Sequence, residues 1–520
     1  MFQIIDERLV IADPARDNVA IALADLGAGT AIALPGSGEL RLASDVRRAW
    51  RVATCDLPAG ALLRQFGFAF GTSRGIRRGE AVTGANLADE IPAPDRSGYA
   101  PPSPLAIDPR WAARTFSGFA RAGGGAGTRN HYLIVPTSMC ASETAVQIAA
   151  ALEQRRPAGA GLDDIVAIPH TEGCGCAANQ QIERVLGVLL GFVRHANVGG
   201  VLVVDLGCEQ TNRSRVNAAF SDHLEALGKP IDWLTIQECG GAQETIERAL
   251  ALAQPRLETM ASVRRETCPA STLVLGTECG ASDSFSGLTA NPAIGGVADR
   301  IIRAGGSALL SEVPEMLGTS AMLLPRFASL EVADAFEAMI AWYRDLAAKL
   351  GVDLSDNLVP KNREGGLLNS YLKSLGAVMK GGTTPIVDVL GYGAEIRRRG
   401  LNIMQGPGGD LESVTGLVAS GANIICFSTG KGTITGSAIC PVVKISSNSA
   451  LASRMPQAID RDAGILLARG VENGSQSEGF EPFCDRLCDF VLETASGRKT
   501  WAERWRQRQF QIWTAGKLSL

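Results

Sequence analysis

Short apolar segments alternate with helical segments through most of this chain, and this alternation limits the folds that it can adopt. Apolar strand-like segments occur at 131–136, 165–168, 201–205, 272–275, 307–310 and 422–427. Helical patterns lie between several of them, most plainly over 331–350. Strands that alternate with helices in this way are typical of α/β domains with parallel sheets. We therefore predict two α/β domains with largely parallel sheets beyond about residue 113.

The first 90 residues have a different pattern. Short apolar runs at 19–23, 31–34 and 52–54 are separated by turn residues such as Asp-Leu-Gly and Asp-Leu-Pro. Such runs are typical of a small, mostly β module. Five prolines over 91–104 mark a linker. The predicted organisation is a β module at 1–90, a proline-rich linker at 91–112, a second domain at 113–255, which ends near a break at Gln254-Pro255, and a C-terminal domain at 256–520.

The segment from Gly276 to Ala293 is the strongest candidate for a functional site. It follows an apolar strand and carries many polar groups, namely Glu278, Cys279, Ser282, Asp283, Ser284, Ser286 and Asn291. Buried polar atoms need hydrogen-bond partners, so such a run is poor core material. The loop after a parallel strand is also where α/β enzymes place their chemistry. The alternative is a turn that only caps a helix.

Four cysteines each follow an apolar strand-like run: Cys140, Cys174, Cys208 and Cys279. Loops at the carboxyl ends of parallel strands converge, so these thiols, with His170, are candidate ligands of iron, zinc or an iron–sulfur cluster. Their spacing matches no standard zinc-finger or ferredoxin pattern. The alternative is that they are small buried core thiols.

Four further side chains are candidates for chemistry. His170 precedes Glu172 and a Gly-Cys-Gly, where it could carry a proton near neutral pH. Arg129 could bind a carboxylate bidentately. Glu312, after the strand at 307–310, could serve as a base or a ligand. Lys380 offers a cation to an anionic or polyhydroxylated ligand, beside backbone donors and the hydroxyls of Thr383 and Thr384. A turn or a helix cap is the alternative for Arg129, Glu312 and the segment 380–384, and a structural histidine for His170.

Composition narrows the classes of partner. The formal net charge of -4 argues against nucleic acid or an anionic membrane as a partner. No segment approaches the roughly 20 apolar residues of a membrane span, and the N-terminus has no signal-peptide pattern. No Gly-x-Gly-x-x-Gly opens a β-α-β unit, so a nucleotide cofactor is not expected. A cytoplasmic protein with reduced thiols and a small-molecule substrate is predicted.

Several strings of this sequence together resemble the altronate/galactarate dehydratase family of sugar-acid lyases. They are Gly127-Thr-Arg-Asn130, His170-Thr-Glu-Gly-Cys-Gly175, Leu206-Gly-Cys-Glu209, Glu278 to Ala293, Ser311-Glu-Val-Pro-Glu315, Gly376 to Pro385 and Ile425 to Gly432. The resemblance covers essentially the whole chain and identifies 1–90 as similar to that family's SAF (antifreeze-like) module. It implies a homo-oligomeric enzyme that dehydrates an aldonic or aldaric acid to a 2-keto-3-deoxy acid with the help of iron.

The resemblance also suggests roles. Arg129 and Lys380 would face the charge of the substrate carboxylate or the enediolate, and His170 or Glu312 would handle the proton. Hydroxyl groups of the substrate would meet Ser282, Asp283, Ser286, Asn291, Thr383 and Thr384. Iron, as Fe²⁺ or as a cluster, would be bound by Cys140, Cys174, Cys208 and Cys279.

This chain departs from the family pattern in its first module. Where members commonly carry Gly-His-Lys and His-Thr-His-Asn, it has Ala49-Trp50-Arg51 and Thr83-Gly-Ala-Asn86, and no histidine precedes His131. The departures indicate a shifted substrate or a different lyase reaction. Two alternatives to a dehydratase therefore stay open: a carbon–sulfur lyase of the sulfolactate type, and a sugar-acid-binding protein without activity.

Overall fold

The structure, a computed structural model, describes residues 2–36, 38–174, 180–217, 228–467 and 479–514. Its N-terminal region is built from short strands: β1 (Gln3–Ile5), β2 (Leu9–Ile11), β3 (Val19–Ala22), β4 (Ala31–Leu34), β5 (Gly38–Arg41), β6 (Arg51–Ala53), β7 (Leu62–Gln65), β8 (Phe68–Ser73) and β9 (Leu87–Ala88). They form three antiparallel sheets with the orders β1-β2-β3-β6, β4-β5 and β7-β8-β9. We call residues 2–90 the N-terminal module.

The turn between β7 and β8 places an aromatic side chain at the edge of this module. Both of its residues have positive φ, 57° at Phe66 and 79° at Gly67, as a type I′ hairpin turn requires. Positive φ is uncommon for phenylalanine. The Asp17 carboxylate accepts hydrogen bonds from the backbone N–H groups of Phe66 (3.1 Å) and Gly67 (2.7 Å), which stabilises the turn. The Phe66 ring lies so close to Gly287 that a Cβ there would be 3.3 Å from it.

The second region is an α/β domain. Its elements are α1 (Pro109–Ala112), β10 (Thr115–Ala120), β11 (Ala126–Gly127), β12 (His131–Pro136), α2 (Met139–Gln154), β13 (Asp164–Ala167), α3 (Gln180–Arg194), β14 (Val198–Asp205), β15 (Ile231–Thr235), α4 (Ile236–Cys239), α5 (Ala242–Ser262) and β16 (Glu266–Pro269). Four strands pair in parallel in the order β13-β12-β14-β15. α5 continues through Pro255, so the chain has no break there.

Both faces of this parallel sheet are buried, which explains why its strands are apolar throughout. Tyr132 and Ile134 belong to an apolar cluster that includes residues of α2 and α5. The alternate residues Leu133 and Val135 belong to a larger cluster that contains residues of α3 and of the C-terminal domain. The second and C-terminal domains therefore share one core.

The C-terminal domain is built on a seven-stranded sheet. Its elements are β17 (Val274–Cys279), α6 (Ala290–Arg303), β18 (Ser307–Leu310), α7 (Ser320–Leu323), α8 (Leu330–Lys349), α9 (Pro360–Glu364), α10 (Ser370–Ala377), β19 (Ile386–Leu390), β20 (Leu401–Met404), α11 (Asp410–Ala419), β21 (Ile424–Thr429), β22 (Val442–Ser446), α12 (Ser449–Arg454), β23 (Arg461–Asp462), α13 (Phe480–Ala495) and α14 (Trp501–Arg504). Short 3-10 helices occur at Ala270–Thr272, Val313–Met316, Leu324–Arg326, Leu354–Asn357, Val378–Gly381 and Gly464–Leu467.

The order of strands in this sheet creates a crevice for a ligand. All seven strands are parallel, in the order β19-β20-β18-β17-β21-β22-β23. β17 lies between β18, which follows it in the chain, and β21, which comes much later, so the strand order reverses at β17. In open α/β sheets, ligands bind outside the carboxyl ends of the strands at such a point. The residues at the end of β17 are Glu278 and Cys279.

The predicted fold class is confirmed: a mostly β module precedes two α/β domains with parallel sheets. The module also packs firmly on the C-terminal domain. Leu63 and Phe70 of the module belong to one apolar cluster with Leu372 and Leu375 of α10. None of the helices in the described ranges has the length and apolar character that crossing a bilayer requires.

Candidate active site

The loop after β17 is organised by one carboxylate. Oδ1 of Asp283 accepts hydrogen bonds from the backbone N–H of Phe285 (3.1 Å) and of Ser286 (2.9 Å), and from the Ser286 hydroxyl (3.1 Å). Ser447, which follows β22, also donates to this oxygen, at 3.0 Å. Asp283 thus turns the chain back into α6, which begins at Ala290. This loop carries many polar side chains and is nevertheless buried, which a simple surface turn would not be.

Glu312 follows β18 at the same edge of the sheet. Its backbone is in the left-handed region, with φ 69° and ψ 52°. A non-glycine residue held in this conformation is strained, and such strain is concentrated at functional sites. The side chain is buried, and Oε2 accepts a hydrogen bond of 3.0 Å from the backbone N–H of Cys279. The strained backbone therefore aims the Glu312 carboxylate at the end of β17.

Two lysines complete a buried cluster of charges. Lys380 lies in the 3-10 helix after α10, where its Nζ forms an ion pair with Glu312 and lies 2.7 Å from the Sγ of Cys279. Lys373, within α10, pairs with Glu315 at 2.6 Å. Oε2 of Glu315 lies 3.4 Å from the same sulfur. Cys279, Glu312, Glu315, Lys373 and Lys380 form what we call the thiol–carboxylate cluster.

Burial shifts the pKa values of this cluster. Burial raises the pKa of Glu312 to about 7, although the charge of Lys380 opposes the shift. Burial alone would lower the pKa of Lys380, but the neighbouring carboxylate of Glu312 raises it above its usual value. Burial and the Glu312 charge raise the pKa of the Cys279 thiol well above its usual range. Near neutral pH, therefore, Lys380 is an ammonium ion, Cys279 is a thiol, and Glu312 can take up or release a proton.

The cluster could bind a metal ion. The ligand atoms of Cys279, Glu312 and Glu315 lie within 4.8 Å of one another, and among the described residues no other set of three or more such groups is so compact. A thiol with two carboxylates suits a transition metal of intermediate softness. The donor set thus fits in kind and in spacing, with Lys380 as a neighbouring cation that an ion would have to displace or accommodate.

A narrow cavity with only about 10 Å³ of free space lies between the N-terminal module and the loop after β17, so a ligand larger than a water molecule would have to widen it locally. The predicted substrate residues Ser282, Asp283, Ser286 and Asn291 line it, together with Lys373 and with Arg51, Gln65 and Phe66 of the module. Contacts connect this cavity to the thiol–carboxylate cluster, because Lys373 lines the cavity and holds Glu315, which contacts Cys279. The structure therefore brings Cys279, Glu312 and Lys380 into one neighbourhood with the predicted substrate residues.

Arg51 and Lys373 are residues of this site that the sequence did not indicate, and Arg51 comes from the N-terminal module. Arg51 is fully buried, and its Nη1 donates hydrogen bonds to the Ser284 hydroxyl (2.5 Å) and to the backbone carbonyl of Gly366. Burial lowers its pKa to about 9, with Asp283 opposing the shift. The one sequence signal for Arg51 is its position in Ala49-Trp50-Arg51, which replaces the Gly-His-Lys of the family pattern. No local pattern shows that a strand of the N-terminal module reaches into another domain.

Arg129 does not lie in this site. All five of its N–H donors are used within the protein, by the two oxygens of Glu503 (2.6 and 2.9 Å) and by three backbone carbonyls. It is completely buried. The expected role of a substrate clamp does not fit this geometry, and Arg129 instead ties β12 to α14 near the C-terminus.

His170, Thr383 and Thr384 also lie outside the cavity. Nε2 of His170 lies 2.8 Å from the carbonyl of Pro136, and Nδ1 accepts from the backbone N–H of Glu172 at 3.1 Å. Both ring nitrogens thus contact backbone, which favours a structural role. Thr383 donates through its hydroxyl to Asp299 at 2.8 Å, and the backbone N–H of Thr384 reaches the same carboxylate at 3.1 Å.

The predicted metal ligands fall into two separate places. Cys279 belongs to the thiol–carboxylate cluster at the seven-stranded sheet. Cys140, Cys174 and Cys208 follow β12, β13 and β14 of the other parallel sheet. A single site with all four thiols is therefore not what the structure shows. Cys176 and His223 lie outside the described residues.

A second pair of buried ionisable groups lies beside the cluster. Oε2 of Glu278 accepts a hydrogen bond of 2.6 Å from Ser413, whereas its Oε1 has no partner among the described residues. Nζ of Lys444 likewise has no hydrogen-bond partner in that part of the chain and lies 3.1 Å from the centre of the Phe427 ring. Burial raises the pKa of Glu278 well above its usual range and lowers that of Lys444 to about 7.

Three family models match successive parts of the chain. "Altronate/galactarate dehydratase SAF domain" matches 8–90, "D-galactarate dehydratase/Altronate hydrolase, second domain" matches 118–261, and "D-galactarate/Altronate dehydratase, C-terminal" matches 270–518. Altronate dehydratase of Bacillus subtilis is 32% identical over 511 residues, which cover 96% of this chain and 98% of that protein. The chain belongs to the altronate/galactarate dehydratase family.

Other relatives of the family show how far the similarity extends. Galactarate dehydratase (L-threo-forming) of Escherichia coli is 32% identical over 94% of this chain and 93% of its own length. The β subunit of (2R)-sulfolactate sulfo-lyase of Chromohalobacter salexigens is 30% identical over 77% of this chain and 97% of its own length. Similar levels of identity thus link this chain to relatives that are named as dehydratases and to one that is named as a sulfo-lyase subunit.

Proposed function

We propose that this chain is a hydro-lyase that removes water from a hydroxylated carboxylic acid of the sugar-acid class to give a 2-keto-3-deoxy acid. The observation that carries the proposal is the buried Lys380–Glu312 pair, which lies at the reversal point of a parallel sheet and is linked to a cavity lined with polar groups. The family relationship supports the reaction class, since the relatives with the longest matches are named as altronate and galactarate dehydratases.

The difficult step in such an elimination is removal of the weakly acidic proton next to the carboxylate. We assign this proton to the carboxylate of Glu312, whose pKa of about 7 suits a base near neutral pH. The Nζ–H groups of Lys380 would stabilise the negative charge that develops on the enediolate, because an ammonium in a buried site interacts strongly with such charge. The hydroxyl would depart from the neighbouring carbon and take up the proton from Glu312 to form water, and the resulting enol would tautomerise to the 2-keto-3-deoxy acid.

Substrate binding is assigned to the cavity. The guanidinium of Arg51 would hold the substrate carboxylate, and Lys373 adds positive charge on the same side. Ser282, Ser286 and Asn291 would meet hydroxyl groups of the substrate, and Asp283 would hold the loop in shape. A metal ion, expected from the family to be iron, would be held by Cys279 and Glu315, two of the three groups whose ligand atoms converge here, so that Glu312 stays free to act as the base. The ion would supply Lewis-acid polarisation of the substrate carboxylate.

The test is a substrate screen with the full chain, purified without oxygen and assayed with and without added Fe²⁺. Aldonic and aldaric acids are supplied, and formation of a 2-keto acid is measured. Turnover of at least one of these acids supports the proposal. Saturable binding of a sugar acid without any product would contradict it and would indicate a binding protein.

A carbon–sulfur lyase is the second candidate, because the sulfolactate sulfo-lyase subunit is 30% identical to this chain. In that reaction sulfite leaves in place of hydroxide, and Arg51 with Lys373 would bind the sulfonate. Release of sulfite from sulfolactate, without keto-acid formation from sugar acids, would favour this candidate. Assembly into a homo-oligomer stays a prediction for either reaction.

A further inference from the structure

A second and much larger space adjoins the narrow cavity at the loop after β17. We call the narrow space the inner cavity and the larger one the outer cleft. The outer cleft has about 710 Å³ of free space, and the inner cavity about 10 Å³. Pockets for small molecules measure about 300–1,000 Å³, whereas about 10–15 Å³ holds one water molecule. The outer cleft can therefore accept a sugar acid as it stands, and the inner cavity cannot.

Four arginines line the outer cleft, and one of them has no partner. The four are Arg16, Arg110, Arg300 and Arg303. The first three form ion pairs with carboxylates of the protein. The half-buried guanidinium of Arg303 has no hydrogen bond or ion pair within the described part of the chain. Because a guanidinium binds carboxylates well, the cleft offers a first contact to an anionic acid.

The side chains assigned to substrate hydroxyls do not reach the outer cleft. Ser282, Ser286 and Asn291 line the inner cavity, and none of them lines the cleft. Thr383, which lies outside the inner cavity, is in the wall of the cleft. An acid held in the cleft can therefore meet the three inner side chains only after something between the two spaces has moved.

The partition between the two spaces is the contact of Phe66 with Gly287. These two residues belong to the walls of both spaces. The Phe66 ring extends from the N-terminal module to the loop after β17, where its Cζ would lie 3.3 Å from a Cβ at position 287. The ring thus fills the gap between the module and this loop.

The turn that carries this ring can open locally. One carboxylate, that of Asp17, accepts the hydrogen bonds of the Phe66 and Gly67 backbone N–H groups, at 3.1 and 2.7 Å. The paired residues of β7 and β8 that lie nearest the turn are Gln65 and Phe68, so Phe66 itself has no partner in the ladder. Release of these two hydrogen bonds therefore frees the ring without breaking a strand pair. Such local openings cost less free energy than global unfolding.

We propose that Phe66 determines specificity at the entrance of the inner cavity, and that a hydroxy acid held in the outer cleft enters only when the Phe66 ring moves aside. The nature of the ligand rests on the proposed function, whereas the passage is a property of the two spaces. A longer acid needs a larger displacement of the ring than a shorter one. The ring therefore selects against long acids and favours short ones.

The first experiment measures access to the inner cavity with a thiol placed inside it. The full chain with Ser286→Cys is treated with methyl methanethiosulfonate, which is small, or with sulfonatoethyl methanethiosulfonate, an anion about as large as a short hydroxy acid. Peptide mass spectrometry gives the rate at which the introduced thiol is modified. Adding Phe66→Ala should raise the rate of the larger reagent at least about tenfold, because no apolar ring then has to be displaced. The rate of the small reagent should rise less.

Two controls accompany this experiment. Phe68→Ala removes a neighbouring ring that lines the outer cleft but not the inner cavity, and it should leave both rates unchanged. Cys55, an exposed thiol of the same module, should react equally in all chains. Equal rates with and without the Phe66 ring, or the same gain in Phe68→Ala, would overturn the proposal.

Hydrogen exchange of the unaltered chain covers the case in which a variant does not fold. The backbone N–H groups of Phe66 and Gly67 should exchange faster than those of Leu63 and Phe70 in the flanking strands. Mass spectrometry with fragmentation of the peptides resolves the turn from the strands. One common rate for turn and strands would show that the turn opens only with the whole hairpin, which contradicts a local gate.

Neither measurement depends on turnover. A failed substrate screen together with faster modification in Phe66→Ala would therefore count against the proposed function alone. With a substrate in hand, Phe66→Ala should raise kcat/KM for six-carbon acids relative to a three-carbon acid such as glycerate, and Phe68→Ala should not. An unchanged preference for chain length in Phe66→Ala would show that the ring does not select substrates.

Discussion

Nη1 of Arg51 donates a 2.5 Å hydrogen bond to the hydroxyl of Ser284, a contact between residues 233 positions apart in the chain. It joins a strand of the N-terminal module to the loop that follows β17. The cavity wall on this side therefore depends on a residue of the module, although the acid–base groups all come from the C-terminal domain.

Replacing Arg51 tests its role in binding the substrate carboxylate. A hydrogen bond to a charged group contributes about 1.5–3 kcal/mol, so Arg51→Met should lower kcat/KM by at least about tenfold. Steady-state kinetics on the substrate found in the screen measure this. Arg64→Met, at an exposed position of the same module, serves as the control and should keep its activity. An Arg51→Met enzyme with unchanged kinetics would leave Arg51 only a structural role.

Glu312 and Lys380 are expected to control turnover rather than binding. General-base catalysis contributes about 100-fold or more, so Glu312→Gln should lower kcat by at least that factor while KM changes little. Lys380→Met should also abolish turnover. Glu364→Gln and Lys361→Met, which alter an exposed ion pair, are matched controls. If KM rises and kcat is kept in Glu312→Gln, this carboxylate binds substrate and is not the base.

The Arg129–Glu503 pair is expected to contribute to stability. Removing one partner of a buried ion pair costs about 3–5 kcal/mol, because the other charge is left without compensation. Glu503→Gln should therefore lower the free energy of unfolding in urea, whereas Glu493→Gln, in an exposed pair with Arg498, should change it little. Activity below the unfolding transition should persist in Glu503→Gln. A selective loss of substrate affinity would restore the interpretation of Arg129 as a clamp.

The same pair predicts a dependence of stability on pH. Burial opposes ionisation of Glu503, but the charge of Arg129 prevails and lowers its pKa from 4.5 to about 2. The folded protein thus binds fewer protons here than the unfolded chain. The resulting stabilisation, about 3 kcal/mol, is present above pH 4.5 and is lost as the pH falls towards 2. Unfolding curves across this range should converge for the unaltered chain and Glu503→Gln, and a constant difference would contradict the assignment.

Lys444 is expected to reduce stability at neutral pH. Its pKa is lowered by burial from 10.5 to about 7, so between these values the unfolded chain binds more protons, and stability should rise with pH. Lys444→Met removes this cost and should raise the free energy of unfolding at pH 7 by more than about 1 kcal/mol. A lower stability in Lys444→Met would mean that a charged Lys444 is needed to balance Glu278 and Asp410.

The sequence shows which residues follow the carboxyl ends of strands, but it does not show which of those strands belong to the same sheet. Cys279, Glu312 and Lys380 lie in contact with one another, but only Cys279 and Glu312 lie at or directly after the carboxyl end of a strand, whereas Lys380 follows helix α10. Cys174 was placed with them because its loop has the same pattern, but apolar runs do not reveal which strands share a sheet. The sequence therefore predicts one set of four metal-binding cysteines, whereas in the structure Cys279 lies at one sheet and Cys140, Cys174 and Cys208 lie at the other.

Side chains whose partners lie far away in the sequence could not be assigned. Nothing near Arg129 shows that Glu503, 374 residues later, occupies its guanidinium. The contribution of Arg51 depends on how the N-terminal module packs against the C-terminal domain. Apolar contacts between the two domains decide this packing, and no periodic pattern in the sequence predicts them. His170 lies after a strand as expected, yet hydrogen bonds to backbone groups engage both of its nitrogens.

The apolar cluster that Leu63 and Phe70 share with α10 has a consequence for how molecules enter and leave the cavity. Swinging the whole module outward would expose both halves of that cluster to water, and each large side chain so exposed costs about 1.5–3 kcal/mol. Exchange of substrate and product should therefore depend on small local movements near the Phe66 turn, while the two domains travel as a single rigid unit.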